Sequence, residues 1–325
     1  MIFNNIQILR GFAAINVIYY HIILTSSSYN QPVNFFLFLN GWGENGVDIF
    51  FVISGFVIFY VQSLKKRTAF EFISARIIRI VPIYWVLTLC IIFLYLSFPY
   101  IFRELELNLI HVFSSFFFLN IIITKIYPIL SVGWTIEYEI LFYFIFSLGI
   151  FFSFRNLQFI FSVITIGILV LIGLINSIIL EFILGMLSAK LYLLGKFKKI
   201  SKFFFLLSLF FFILTIFFKF ELNRIFIYGL PSFLLISSIV NFKQSNNKLL
   251  IYLGDASYSI YLSQVFSVPC FYKISSKFFD KFDTDLLSIL SLILSVTFGC
   301  IIYQFLEKPL TKYFKKIYYI NNKIY

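Results

Sequence analysis

Long apolar stretches recur along the chain, with short polar or basic segments between them. Each stretch holds about 17 to 22 residues, and at about 1.5 Å per residue a helix of that length crosses the hydrocarbon core of a membrane. The pattern therefore predicts about ten transmembrane helices. They cover residues 6–26, 44–63, 78–98, 132–153, 157–175, 178–194, 203–219, 225–241, 255–273 and 286–307.

Two parts of this pattern are less regular. The connection between 157–175 and 178–194 is very short, so this hairpin is the least secure in the series. The apolar segment 111–123 is too short to cross a membrane and is expected to lie along the interface or to re-enter.

The expected fold class is an all-α polytopic membrane protein, a bundle of helices that forms one integral-membrane domain over residues 1–325. No cleavable signal is expected, because the first span contains Arg10 and His21 and lacks a small-residue cleavage site. No soluble domain is expected after the last span.

Composition agrees with this class. Hydrophobic residues make up 61% of the chain and charged residues 12%, which excludes an ordinary soluble domain. The net charge of +12 would suit nucleic acid, but the basic residues cluster between spans, where topology and lipid headgroups explain them better. We therefore expect contact with membrane lipid and no nucleic-acid partner.

The three cysteines, Cys90, Cys270 and Cys300, lie in apolar runs without paired or metal-like spacing. They are interpreted as small buried hydrophobic residues, and no metal site is expected.

Basic residues are distributed unevenly between the two sides of the predicted bundle. With the N-terminus inside, 19 of the 26 Lys and Arg residues fall on the inner side and 7 on the outer side. Because loops rich in Lys and Arg stay in the cytoplasm, both termini are predicted to be cytoplasmic.

The first span carries two ionisable residues, Arg10 and His21, within ILRGFAAINVIYYHII. Such residues are costly in hydrocarbon, so they usually face a bundle interior and mark a pathway or a site. Their spacing puts both on one helix face, about 16 Å apart along the axis. That face offers a cation near the cytoplasmic surface and an imidazole near the outer one.

Three carboxylates are predicted at the same outer level as His21. Asp48 lies at the start of the second span, and Glu137 and Glu139 lie at the start of the fourth. A neutral imidazole held by a carboxylate is a suitable general base for a hydroxyl group. Each residue alone is equally well explained by a structural hydrogen bond, but their shared depth favours a site.

Two arginines, Arg76 and Arg79, share a helix face near the inner start of the third span. Arginine binds phosphate bidentately, so this pair and Arg10 would suit a phosphate-rich cytoplasmic ligand. The preceding cluster 65–67 is explained by anchoring to anionic lipid. A phosphate-binding site at the inner surface and a general base at the outer surface would suit acyl transfer from a cytoplasmic nucleotide thioester to a hydroxyl group outside.

Six motifs follow one another along nearly the whole chain. They are LRGFAAINVIYYH, GVDIFFVISGF, RIIRIVPIYW, GWTIEYEILFY, LGDASYSIYL and FLEKPL. Each is weak alone, but their order and spacing resemble the membrane-bound acyltransferase family 3, the O-acyltransferases of bacterial surface polysaccharides.

This resemblance implies a multi-pass O-acyltransferase of the bacterial inner membrane. It implies an acyl-CoA co-substrate from the cytoplasm, usually acetyl-CoA, and no bound cofactor. The acceptor would be a glycan hydroxyl at the outer face, on a surface polysaccharide or its lipid-linked precursor. His21 would be the catalytic base or acyl relay, with Asp48 and Glu139 orienting or charge-balancing it. The donor-binding residues would be Arg10, Arg76 and Arg79.

Three positions depart from the family pattern, and one of them is Glu137, an additional carboxylate within WTIEYE. Relatives often carry an arginine where Ala75 stands and a histidine where Gln264 stands, which puts the donor grip and the handling of the acceptor in doubt. Weaker candidates for lining the substrate are Glu137, Trp134 and Gln264.

Acceptor recognition is expected in the bundle and in the longest outer loop, about 99–131, whose charges include Arg103, Glu104 and Glu106. In the second span, Gly55 is expected to mark close helix packing.

Two other functions stay open at this point. A transporter of a lipid-linked glycan or acyl group would use the same ionisable residues to line a path. A glycan polymerase or ligase would also place arginine and histidine at the outer face. The ordered motifs favour the acyltransferase, with transfer either direct or through a covalent acyl-enzyme.

Overall fold

The computed structural model describes residues 3–102, 107–152, 154–279 and 282–321. Regular secondary structure in these ranges is entirely helical, which confirms the all-α class. The α-helices are α1 Asn4–Ser28, α2 Asn45–Leu64, α3 Ala69–Ser97, α4 Leu109–Phe117, α5 Trp134–Gly149, α6 Arg155–Leu171, α7 Leu180–Leu193, α8 Ser201–Phe217, α9 Leu230–Ile239, α10 Lys248–Asp255, α11 Ser257–Phe278, α12 Thr284–Ile302 and α13 Lys308–Asn321. Two π-helical segments, Ile225–Gly229 and Tyr303–Glu307, lead into α9 and α13.

Every predicted span coincides with a helix. In the described part of the chain, four helical segments are long and apolar enough to cross a membrane: Asn4–Ser28, Trp42–Leu64, Ala69–Ser97 and Thr284–Tyr318. Shorter apolar helices are Arg155–Leu171, Ser201–Phe217 and Ile225–Ile239. The multi-pass membrane character is therefore supported, whereas the count of ten and the cytoplasmic termini stay predictions.

The segment expected at the interface contains the short helix α4. Asn108 begins it, because the side-chain oxygen accepts the backbone N–H of His111 at 2.7 Å. The helix ends at Phe118, whose φ of +60° is left-handed. Its nine residues are too few to cross a membrane. The charged loop residues Arg103, Glu104 and Glu106 lie outside the described residues.

The interpretation of the cysteines as buried is wrong. Cys90 and Cys270 are exposed, and Cys300 is half-buried. In an apolar helix that faces lipid, a small hydrophobic side chain needs no protein neighbour, so the apolar sequence around these cysteines does not predict burial.

The first compact unit comprises the described residues of 1–66 and 176–300. At its centre α2 and α7 approach very closely. A Cβ added at Gly55 would clash with the carbonyl oxygen of Phe182, and one at Gly185 would clash with that of Val52. Only glycine permits this approach, so the close packing predicted at Gly55 is confirmed.

Ring contacts show that α2 and α7 run in the same direction. Near their starts, Phe51 stacks on Phe182 with ring centroids 4.5 Å apart. Near their ends, Tyr60 packs on Tyr192 at 5.8 Å. The predicted topology requires this direction, since both spans were expected to begin outside.

The helix α9 and its π-helical start follow α7 in the same direction. A Cβ at Gly229 would lie 3.1 Å from Oε1 of Glu181. Two turns later, Ser237 Oγ donates to Ser188 Oγ at 2.8 Å. The starts of α2, α7 and the π-helical segment therefore lie together at one end of this unit.

The second compact unit comprises the described residues of 67–175 and 301–325. Its helix α3 begins in a capping box: Thr68 Oγ1 accepts the N–H of Glu71 at 3.2 Å, and the Thr68 N–H donates to the Glu71 carboxylate at 2.9 Å. One turn later Phe72 packs on Tyr143 of α5, with centroids 6.1 Å apart. This contact brings the next turn of α3, with Arg76, against α5.

Candidate functional site

The helix α1 runs without a break through Arg10 and His21, so both project from one helix as expected. Arg10 is half-buried, and its Nη1 donates to Gln7 Oε1 at 3.1 Å. His21 is also half-buried, and the charged group that acts on it is the carboxylate of Glu44. The sequence predicted Asp48 and Glu139 in this role.

Close contact between α1 and the start of α2 holds Glu44 beside α1. Asn16 Nδ2 donates to Asn45 Oδ1 at 2.7 Å. A Cβ at Gly43 would lie 2.7 Å from Cβ of Tyr20, so this position also requires a minimal side chain. Both neighbours of Glu44 in the chain are thus fixed against α1.

Arg224 connects Glu44 with Asp48. Its Nε and Nη2 donate to the two carboxylate oxygens of Asp48 at 3.0 and 2.8 Å. Its Nη1 donates to Glu44 Oε2 at 2.5 Å, and its Nη2 also donates to the Glu44 carbonyl oxygen at 3.0 Å. Such a bidentate, charge-assisted pair fixes both distance and orientation.

Burial differs between the two acidic partners of Arg224. The Asp48 side chain is 0% exposed, whereas that of Glu44 is 35% exposed. Asp48 lies in the first turn of α2, where the free N–H groups and the helix dipole favour a negative charge. Glu44 is therefore the carboxylate that remains accessible to a ligand or to an imidazole.

A further carboxyl group, Glu181 in the first turn of α7, completes this arrangement. It is fully buried and lies within hydrogen-bonding distance of Asp48. We call these four residues, Glu44, Asp48, Glu181 and Arg224, the carboxyl–arginine cluster.

Sequence reasoning missed three of the four. Arg224 was counted only as an outer basic residue, and Glu44 lies in the polar segment NGWGENG, at the first residue of the second predicted span. Glu181 did carry a signal, since it is the one acidic residue in the apolar run LINSIILEFILGM. An ionisable residue in such a run marks a functional position by default.

The second unit holds the arginines expected at the donor. The Arg76 guanidinium lies over the rings of Phe72 and Tyr143, 5.6 and 5.7 Å from their centroids. The Tyr143 hydroxyl donates to the carboxylate of Glu139. The sequence predicted Arg76 near the inner surface and Glu139 near the outer one. In the structure both side chains contact Tyr143. Arg79 lies one turn further along α3 and acts on Arg76 electrostatically.

Glu137 anchors the loop that follows α4. Its Oε1 accepts the Asn120 side-chain and backbone N–H groups at 2.7 and 3.2 Å, and its Oε2 accepts the Ile121 N–H at 2.8 Å. The side chain is buried. Three N–H donors account for this carboxylate, and a contact with substrate stays a prediction.

The other two weak candidates occupy different units. Gln264 in α11 is buried, and its Nε2 donates to the Tyr261 carbonyl at 2.8 Å. Trp134 begins α5 and meets Tyr138 edge-on, with centroids 6.0 Å apart. Within the described ranges, no group of three or more His, Cys, Asp or Glu side chains is arranged to hold a metal ion.

Comparison with known proteins gives two matches. A family model described as an acyltransferase domain matches residues 3–304. The exopolysaccharide production protein ExoZ of Rhizobium meliloti (strain 1021) is 30% identical over 253 residues, which covers 70% of this chain and 77% of that protein. No solved structure matches the chain.

Proposed function

The chain belongs to the acyltransferase family whose domain it matches, and we propose that it transfers an acyl group from cytoplasmic acyl-CoA to a sugar hydroxyl. The role of its relative in exopolysaccharide production supports a surface polysaccharide, or its lipid-linked precursor, as the acceptor. Acetyl is the proposed acyl group, acetyl-CoA the co-substrate and the bacterial inner membrane the location.

The observation that carries this proposal is the histidine beside an accessible carboxylate. His21 stands on α1 near Glu44, whose orientation Arg224 fixes. A carboxylate in this position stabilises an imidazolium, as general-base catalysis requires. His21 thus provides the base, and Glu44 the counter-charge, for attack by a hydroxyl group.

In the proposed reaction, the imidazole of His21 takes the proton of the acceptor hydroxyl. The hydroxyl oxygen then forms a bond to the thioester carbonyl carbon, and the carbon–sulfur bond breaks. The imidazolium returns its proton to the leaving thiolate. Glu44 stabilises the positive charge while it exists, and Asp48 contributes by holding Arg224.

Arginines are proposed to hold the donor. The Arg76 guanidinium lies over two rings, and its Nε has no hydrogen-bond partner among the described residues. A guanidinium whose orientation is fixed by stacking binds phosphate with less loss of freedom than a mobile one. Arg79 and Arg10 are the other proposed contacts to coenzyme A phosphates.

The test is mass spectrometry of the surface glycan from cells with the wild-type chain, with His21→Ala or without the protein. An acyl increment that only the wild type produces is the expected result, and its mass identifies the acyl group. The matched control is His111→Gln, at the other histidine of the chain. His111 Nε2 meets the Tyr127 carbonyl oxygen at 3.0 Å, and the glutamine amide can replace that contact.

An undiminished increment in His21→Ala would remove His21 as the base. If complete loss of the protein leaves acylation unchanged but alters glycan export or chain length, the transporter or the polymerase replaces the acyltransferase.

A further inference from the structure

Glu181 has an unusual environment for a carboxyl group. Its side chain is 0% exposed, and among the described residues no N–H or O–H group donates to either of its oxygens. Yet its carboxyl group is within hydrogen-bonding distance of Asp48. Two ionised carboxylates are acceptors only, so a hydrogen bond between them requires that one carries a proton.

Arg224 determines which of the two carboxyl groups, Asp48 or Glu181, carries the proton. Asp48 accepts from Nε and Nη2 of Arg224 with both oxygens, the geometry of an ionised carboxylate on a guanidinium. The Nη1 of Arg224 binds Glu44 instead, and no hydrogen bond to Glu181 leaves the guanidinium. The cation therefore stabilises charge on Asp48 and Glu44.

Packing also favours a neutral Glu181. The carboxyl group lies against Gly229, whose Cβ, if present, would be 3.1 Å from Oε1. The neighbouring residue Phe182 is stacked on Phe51. An ionised carboxylate that is fully buried and receives no hydrogen bond from the described residues has nothing to replace the water it loses, so the neutral acid is favoured there.

We propose that Glu181 is a neutral carboxylic acid that donates its proton to ionised Asp48, and that it is a positioning residue for the acyltransferase site. The charged groups that act on it are Asp48 and Arg224. Arg224 in turn binds Glu44 and lies over the ring of Tyr228, 5.6 Å from its centroid. With Glu181 neutral, two carboxylates and one guanidinium leave one net negative charge on the cluster.

That single charge has a role if the proposed function is right. Glu44 acts on His21, and His21 becomes a cation when it takes the hydroxyl proton. One net negative charge balances this imidazolium. Glu181 acts on His21 only through Asp48, Arg224 and Glu44.

The first test is infrared difference spectroscopy of the purified full-length protein in lipid nanodiscs. The C=O stretching band of a protonated carboxylic acid is expected in the wild type and is expected to be lost in Glu181→Gln. The matched control is Glu221→Gln, since Glu221 is exposed and its substitution should leave that band unchanged. Identical bands in wild type and Glu181→Gln would overturn the proposal.

The second test compares two variants by glycan acylation at equal protein level in the membrane. Glu181→Met removes the donor to Asp48 and is expected to lower acylation about tenfold, the effect of leaving one buried acceptor unpaired. Glu181→Gln supplies an uncharged donor and is expected to restore activity to within about twofold of wild type, with the same pH profile. A Gln variant as inactive as the Met variant, or with a displaced pH profile, would overturn the proposal.

The two tests separate this inference from the proposed function. The infrared band depends on the protonation of Glu181 alone and requires no acyl transfer. An infrared band assigned to Glu181, together with undiminished acylation in His21→Ala, would support a protonated Glu181 and reject His21 as the general base.

Discussion

At the scale of single residues, Asp48 and Glu44 bind the same guanidinium but differ in burial. Asp48 is 0% exposed and contacts Arg224 with both oxygens, whereas Glu44 is 35% exposed and contacts it with one. Removing one partner of a buried pair leaves an uncompensated charge in a poorly solvated place. Removing one partner of an exposed pair lets water take its place.

These two residues therefore provide a matched comparison. Asp48→Asn is expected to lower the free energy of unfolding by about 3 kcal/mol, and Glu44→Gln by less than about 1 kcal/mol. Denaturant unfolding of the full-length protein in detergent measures both. Equal losses would show that the two ion pairs are equally solvated, contrary to their burial.

Glycan acylation by the Asp48→Asn and Glu44→Gln variants is expected to follow a different pattern from their stability. Both variants should lose most of the activity, because Glu44 is the charged group that acts on His21 and Asp48 holds the arginine that orients Glu44. We therefore expect the Glu44→Gln protein to be nearly as stable as the wild type but to lack acylation activity. That result would place Glu44 in the reaction rather than in the scaffold.

At the level of the helices, the carboxyl–arginine cluster depends on how α2 and α7 approach each other. Gly55 and Gly185 let the two backbones touch, and this contact brings the first turns with Asp48 and Glu181 together. The sequence predicts the approach at Gly55, because a small residue in an apolar helix permits it. It does not predict which helix is the partner.

A glycine pair tests this packing. Gly185→Ala is expected to destabilise the protein, since its Cβ would clash with the carbonyl oxygen of Val52. Gly167→Ala is the control. No atom lies within 4 Å of a Cβ there, so alanine should stabilise α6 by about 0.5–1 kcal/mol through helix propensity. Thermal unfolding midpoints measure both, and a neutral Gly185→Ala would contradict the close contact.

Helix limits show what an apolar run predicts and what it leaves out. The third span was predicted from residue 78, but α3 begins at Ala69 because Thr68 and Glu71 form a capping box. The length of the apolar run corresponds to the part of the helix that lies in the hydrocarbon core of the membrane. The capping residues decide where the hydrogen-bonded helix starts, here more than two turns earlier.

At the scale of the whole molecule, the predicted topology has a direct test. Reporter fusions that are active on one side of the membrane are placed after residues 154, 175 and 198. The expected locations are inside, outside and inside, because the segment around 196–202 is rich in lysine. Fusions after 154 and 175 on the same side would show that 157–175 does not cross and would reduce the count of spans.

The membrane class, the helices and the family follow from the sequence alone, because hydropathy over a span and the order of motifs are local properties of the chain. The sequence also predicted His21 and Asp48 as site residues, since each stands out as an ionisable residue at a span. The tertiary structure alone decided the partners of these residues. Arg224 lies 176 residues after Asp48 in the chain, and Glu181 meets Asp48 only because two glycines let α2 and α7 touch. Contacts between distant segments depend on packing, which hydrophobic pattern and motif spacing do not encode.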